Sequence, residues 1–108
     1  MNNNSFGSMG PFGAPLFDLG NIYITVHANA VLADPPVDLR PLINRHHRGD
    51  WLEMAEDDQL ANRAAVTDGS RVFSRFTLPG GRRVWIITEA EDEHGHRSHT
   101  TVLMPEDY

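Results

Sequence analysis

Residues 83–89 read Arg-Val-Trp-Ile-Ile-Thr-Glu. In an extended chain Val84 and Ile86 face one way, and Trp85 and Ile87 the other. A strand that is apolar on both faces belongs inside a sheet, with a neighbour on each side. The flanking sequence supplies those neighbours. Residues 71–78 alternate, with Val72, Phe76 and Leu78 on one face. Pro79-Gly80-Gly81 is a turn between the two runs. A polar connection containing Gly95 leads to a last strand over residues 99–104, which Pro105 closes. Short turns join all three strands, so they form an antiparallel meander.

The upstream half alternates between signals. Residues 21–27 set Ile22, Ile24 and Val26 against Tyr23, Thr25 and His27, a half-buried strand that adds to a sheet edge. Residues 28–33 suit a helical turn before the Asp34-Pro35-Pro36 break. Asp38 is a good N-cap for a helix running to about Arg48, with Pro41 in its first turn. Leu39, Leu42, Ile43 and His46 share one face of that helix, and Gly49 ends it. A second helix is expected over residues 55–67. Glu56, Asp57 and Asp58 lie in its first turn, Leu60, Ala61, Ala64 and Ala65 form a slim apolar face, and Gly69 is the stop. The expectation is an α+β two-layer domain: a three-stranded antiparallel meander plus an N-terminal strand, with two helices on one face.

With 108 residues the chain suits one domain. Residues 1–17 carry no charge and are rich in Asn, Gly, Ser and Pro, which reads as a flexible tail before a domain over residues 18–108. Cysteine is absent, so disulfide scaffolds, zinc ribbons and thiol catalysis are excluded. No apolar run approaches a membrane span, and no membrane partner is expected. The first basic residue is Arg40, so the start lacks the positive region of a secretory signal, and the expected compartment is the cytoplasm. The formal net charge is −6, and all nine basic residues are arginine, a bias that fits a GC-rich bacterial genome. Such acidity points away from duplex nucleic acid and toward a basic protein surface. Six histidines, protonated together, would bring the formal charge to zero, so solubility is expected to fall at mildly acidic pH.

Several motifs are colinear with a known pattern. Arg45-His46-x-x-Gly49-Asp50-Trp51 is followed by Asp58-x-x-x-Asn62-x-x-Ala65 and Gly69-x-Arg71-Val72-x-Ser74-x-Phe76. Then come Val84-Trp85-Ile86-Ile87-Thr88-Glu89-Ala90 and Thr100-Thr101-Val102-Leu103-Met104-Pro105-Glu106-Asp107-Tyr108. Over residues 18–108 this resembles a family of small bacterial plasmid-related proteins, found on plasmids and integrative elements. The resemblance implies an accessory role for mobile DNA, such as countering host defence. It brings no catalytic residue and no cofactor with it. Leu52 stands where the family pattern has glycine, and residues 91–99 are longer than the family's turn, so the histidine-rich hairpin lacks support from the resemblance.

Three chemistries compete. His94-x-His96-x-x-His99, beside Glu89, Glu91, Asp92 and Glu93, has the ligand types for zinc, nickel or copper. The plainer reading is a solvated hairpin. His46, Gly49, Asp50 and Trp51 offer a histidine that a carboxylate could orient as a base. The plainer reading makes them, with Trp85, structural: a helix stop, a turn, buried rings and a satisfied histidine. Arg71, Arg75, Arg82, Arg83 and Arg97 gather in the sheet half. With the order of elements, they admit a small ribonuclease toxin of the RelE/ParE type by analogy alone. The leading expectation is a non-enzymatic interaction protein with an unidentified protein partner and no cofactor. Glu53, Glu56, Asp57, Asp58, Glu89, Glu91, Asp92 and Glu93 would present phosphate-like charge to that partner, and an edge strand would permit a homodimer.

Overall fold

The computed structural model describes residues 13–108. The element order is β1 (Asn21–Ile24), α1 (Val26–Ala33), α2 (Arg40–His47), α3 (Glu56–Asp68), β2 (Val72–Thr77), β3 (Arg83–Thr88) and β4 (His99–Leu103), closed by a 3-10 turn at Pro105–Asp107. The α+β class holds, with two corrections of detail. A third helix is present, and the sheet is mixed. Its order is β1-β4-β3-β2. β2, β3 and β4 form the antiparallel meander, whereas β1 pairs with β4 in parallel. A chain that leaves β1 through three helices and returns through β2 and β3 can bring β4 alongside in the same direction, which a hairpin cannot do.

The extra helix and the short β1 have one cause. Thr25 is extended, and its hydroxyl oxygen accepts the Ala28 N–H at 3.0 Å, so it N-caps α1. The expected strand over residues 21–27 therefore stops at Ile24. Val26 sits in the helix and is 88% exposed instead of half-buried. Ile22 and Ile24 are also exposed. The helix expected from Asp38 begins at Arg40, yet Asp38 still accepts the Arg40 N–H at 3.0 Å. At its other end Gly49 has φ +83°, and the N–H groups of Gly49 and Asp50 return to the carbonyls of His46 and Arg45. That is a Schellman stop, which needs a left-handed residue.

The inward sheet face carries Phe76, Val84, Ile86 and Val102, packed under Ala28 and Leu32 of α1 and half-buried Leu42 and Ile43 of α2. A second cluster joins Trp51, Met54, Ala65 and Val72. On α3 the buried positions are Asn62 and Ala65; Leu60, Ala61 and Ala64 face solvent. The slim apolar face expected there is thus mostly turned outward. Asn62 explains the rotation, because its amide is needed at the sheet edge. It donates to the Phe73 carbonyl at 2.6 Å and accepts the Phe73 N–H at 3.0 Å.

The tail expected over residues 1–17 lies mainly outside the described residues. Its last two members are docked. The Leu16 N–H donates to the His47 carbonyl, and the Phe17 ring meets His46 edge-on at 5.2 Å.

Candidate functional site

Each residue of the Arg45–Trp51 motif has a structural partner. Arg45 pairs with Asp50 at 2.8 Å and Glu53 at 3.2 Å, and its guanidinium lies 4.5 Å from the centre of the Phe76 ring. Trp51 is buried, and its indole N–H donates to Ser74 Oγ at 2.9 Å. His46 is fully buried between Ser74 Oγ on Nδ1, at 2.6 Å, and Thr88 Oγ1 on Nε2, at 2.8 Å. Thr88 Oγ1 meets Thr100 Oγ1 at 2.6 Å, and Thr100 donates to the Leu19 carbonyl at 2.6 Å.

The two ends of this chain fix every proton in it. Leu19 offers only an acceptor, so the Thr100 proton points there. Thr88 must then donate to Thr100, and His46 Nε2–H must donate to Thr88. Nδ1 is left bare to accept the Ser74 hydroxyl, whose oxygen receives the Trp51 N–H. Burial, then the charges of His47 and Arg97 nearby, lower the His46 pKa to about 3. A protonated ring would donate from both nitrogens and leave the Ser74 hydroxyl proton without its acceptor. The assembly resembles a serine–histidine pair in chemistry, but His46 and Ser74 are both fully buried. His46 therefore stays neutral at mildly acidic pH, and the six-histidine neutralisation expected from the sequence loses that charge.

Ser74, Thr88 and Thr100 occur in the sequence motifs, but the motifs assign them no site role. Their signal is parity. Each is a small hydroxyl residue at an inward position of an otherwise apolar strand face.

The hairpin histidines are not gathered. Asp92 Oδ1 accepts the N–H groups of both His94 and His96, at 2.8 and 2.9 Å, and so shapes the turn. The His94 and His96 side chains are exposed, while His99 lies on β4 with its ring 5.6 Å from Tyr23. Among the described residues no group of three or more His, Asp or Glu could hold a metal ion. His96 lines an open cleft of about 420 Å³ with Asp18, Leu19, Gly20, His47 and Arg97. Two of its polar walls have partners: His47 Nε2 meets the Phe17 carbonyl at 2.7 Å, and Arg97 donates to three main-chain carbonyls.

Arg97 is 5% exposed and donates to the carbonyls of Ser70, Glu89 and Ala65. It fastens the end of α3 to the β3–β4 connection. Of the other sheet arginines, Arg82 pairs with Glu106 and Arg71 donates to the Tyr108 hydroxyl. Arg75 and Arg83 have no ion-pair partner among the described residues.

The acidic candidates fall into separate groups. Glu53 is held internally, accepting the Thr77 N–H at 2.8 Å as well as Arg45, and these bonds keep its carboxyl below the usual range against the opposing effect of burial. Glu56, Asp57 and Asp58 are exposed at the start of α3. Glu91, Asp92 and Glu93 are exposed near its end, where the Glu91 N–H donates to the Gly69 carbonyl at 2.8 Å. A thirteen-residue helix separates the two groups by about 20 Å. Glu89 is half-buried at the end of β3.

The two sheet edges differ. On the outer edge of β2, Asn62 closes both main-chain groups of Phe73, and Glu53 closes the Thr77 N–H. On β1, Asn21 and Thr25 donate to the β4-side carbonyls of Ser98 and Val102. By alternation, the N–H and C=O of Ile22 and Ile24 point away from the sheet. Beside them Ile22 is 44% exposed, Tyr23 53% and Ile24 40%. No described residue covers this edge, and β1 carries no charge, proline or bulge.

No family model matches the chain, and neither curated proteins nor solved structures give a match. No helix among the described residues is long and apolar enough to cross a membrane.

Proposed function

We propose that this chain is a non-enzymatic interaction protein whose docking element is the free edge of β1. The observation that carries this reading is the contrast between the edges: side chains take the main-chain groups of Phe73 and the Thr77 N–H on β2, and none among the described residues takes those of Ile22 and Ile24 on β1. An open edge with apolar side chains on both faces takes a further strand by main-chain pairing. A second copy of the chain is the occupant it fits most directly. Two uncharged β1 strands meet without repulsion despite the net charge of −6, and antiparallel pairing about a two-fold axis joins the two sheets. The inward chemistry supports binding over catalysis, since the buried histidine is neutral and enclosed.

The acidic groups at the two ends of α3 favour a basic surface on any further partner. In the mobile-element setting that the motif resemblance implies, that partner is a host defence or nucleic-acid-processing protein. The test separates the two contacts. Light scattering behind size exclusion should give a dimer that dissociates on Ile22→Lys with Ile24→Lys and is insensitive to salt. Capture of a basic partner should instead weaken steeply with salt and on Asp57→Asn with Asp58→Asn. A wild-type chain that stays monomeric across the micromolar range defeats the edge reading.

A further inference from the structure

Helices cover only one face of the sheet. On the other, Tyr23, Thr101, Ile87 and Phe73 lie in register across all four strands, and Leu103, Trp85 and Arg75 form the next row. Tyr108 folds back across this face. Its ring lies 5.6 Å from Trp85, and Trp85 lies 5.0 Å from Phe73, both edge-to-face. Ile87 and Leu103 are consequently shielded, at 4% and 6% exposed, while the Tyr108 ring remains 71% exposed. The result is a stepped aromatic surface on a rigid sheet.

By alternation Arg75 and Arg83 share that face with the rings. Neither has an ion-pair partner among the described residues. Arg71 stands at its border, donating to the Tyr108 hydroxyl at 2.6 Å, with Glu89 as the nearby carboxylate. Arginines without ion-pair partners, set beside the exposed Tyr108 ring and the half-buried Trp85 ring, run against the composition of a chain with 15 acidic and 9 basic residues.

We propose that this face binds single-stranded nucleic acid. Bases would stack on the rings of Tyr108 and Trp85, and phosphates would meet Arg75, Arg83 and Arg71. Rings engage the flat faces of unpaired bases, which a duplex hides. A duplex would offer phosphates alone, to a chain that is negative elsewhere. An acidic peptide would satisfy the arginines but leave the rings unused. The site lies on the sheet face and does not depend on pairing at β1.

The experiment is fluorescence anisotropy with labelled oligothymidylate and oligouridylate, against a duplex of equal length and a polyglutamate peptide. Single strands should bind at least about tenfold more tightly than either competitor, with a log–log salt slope of about −2 for three phosphate contacts. Arg75→Gln with Arg83→Gln should weaken binding about tenfold. Trp85→Leu should weaken it similarly, while Trp85→Phe keeps most of it, and thermal melts confirm that each variant is folded. Arg63→Gln, on the exposed side of α3, should change nothing. The proposal is overturned by no binding at low salt, by equal binding of duplex or polyglutamate, or by an Arg63→Gln loss as large as that of the sheet variants.

Discussion

Asn62 holds Phe73 by both of its main-chain groups, as a neighbouring strand would. One side chain on α3 thereby ends the sheet at β2. Asn62→Ala should cost about 2 kcal/mol, the scale of two lost bonds to partly buried backbone groups. Asn62→Asp should cost at least as much, because a carboxylate cannot donate to the Phe73 carbonyl. Urea melts of both variants check this, and an effect below about 0.5 kcal/mol would remove the edge-closing role.

His46 gives stability a specific pH dependence. Its folded pKa is about 3, below the unfolded value of about 6.5. Between those values the unfolded chain binds the proton and the folded chain does not, so stability falls as pH falls. The contribution is complete above about pH 6.5 and is lost progressively toward pH 3, with a limiting slope of about 1.4 kcal/mol per pH unit. Between pH 6 and 5 the carboxylates whose pKa values are lowered remain ionised, so the histidine slope is read most cleanly there. Nitrogen-15 NMR should show His46 as the neutral Nε2–H tautomer at pH 6. A charged ring, or an Nδ1–H form, contradicts the proton order derived from Leu19.

Arg97 should not be replaceable by lysine. Its planar fork reaches three carbonyls on separate segments, and an ammonium on a shorter reach cannot meet all three. Arg97→Lys should destabilise by about 2–3 kcal/mol, the range for lost charge-assisted bonds in a buried site. Hydrogen exchange should quicken first at the end of α3 and in the β3–β4 connection. Uniform quickening across the whole chain would show that the residue fastens no particular segment.

The strands were legible because their alternation is local. Val72, Phe76, Val84 and Val102 face inward as the pattern requires. The α2 stop was legible because Gly49 adopts a conformation that few other residues tolerate. Other features depended on distant partners. Leu60, Ala61 and Ala64 make the better apolar stripe, but the demand of Phe73 for a carboxamide rotates α3 away from it. Val26 continues an alternation that Thr25 ends by capping α1. The direction of β1 depended on its partner β4, some eighty positions along the chain. Among the site candidates, His94, His96 and His99 are close in sequence, yet Asp92 sets a turn that does not assemble them.

The bond chain from Trp51 to Leu19 permits a single arrangement of hydrogens. Its members therefore cannot change one at a time without reversing or orphaning a neighbour. Across relatives, positions 46, 51, 74, 88 and 100 should be inherited as a block, exchanged together for an apolar set or kept together.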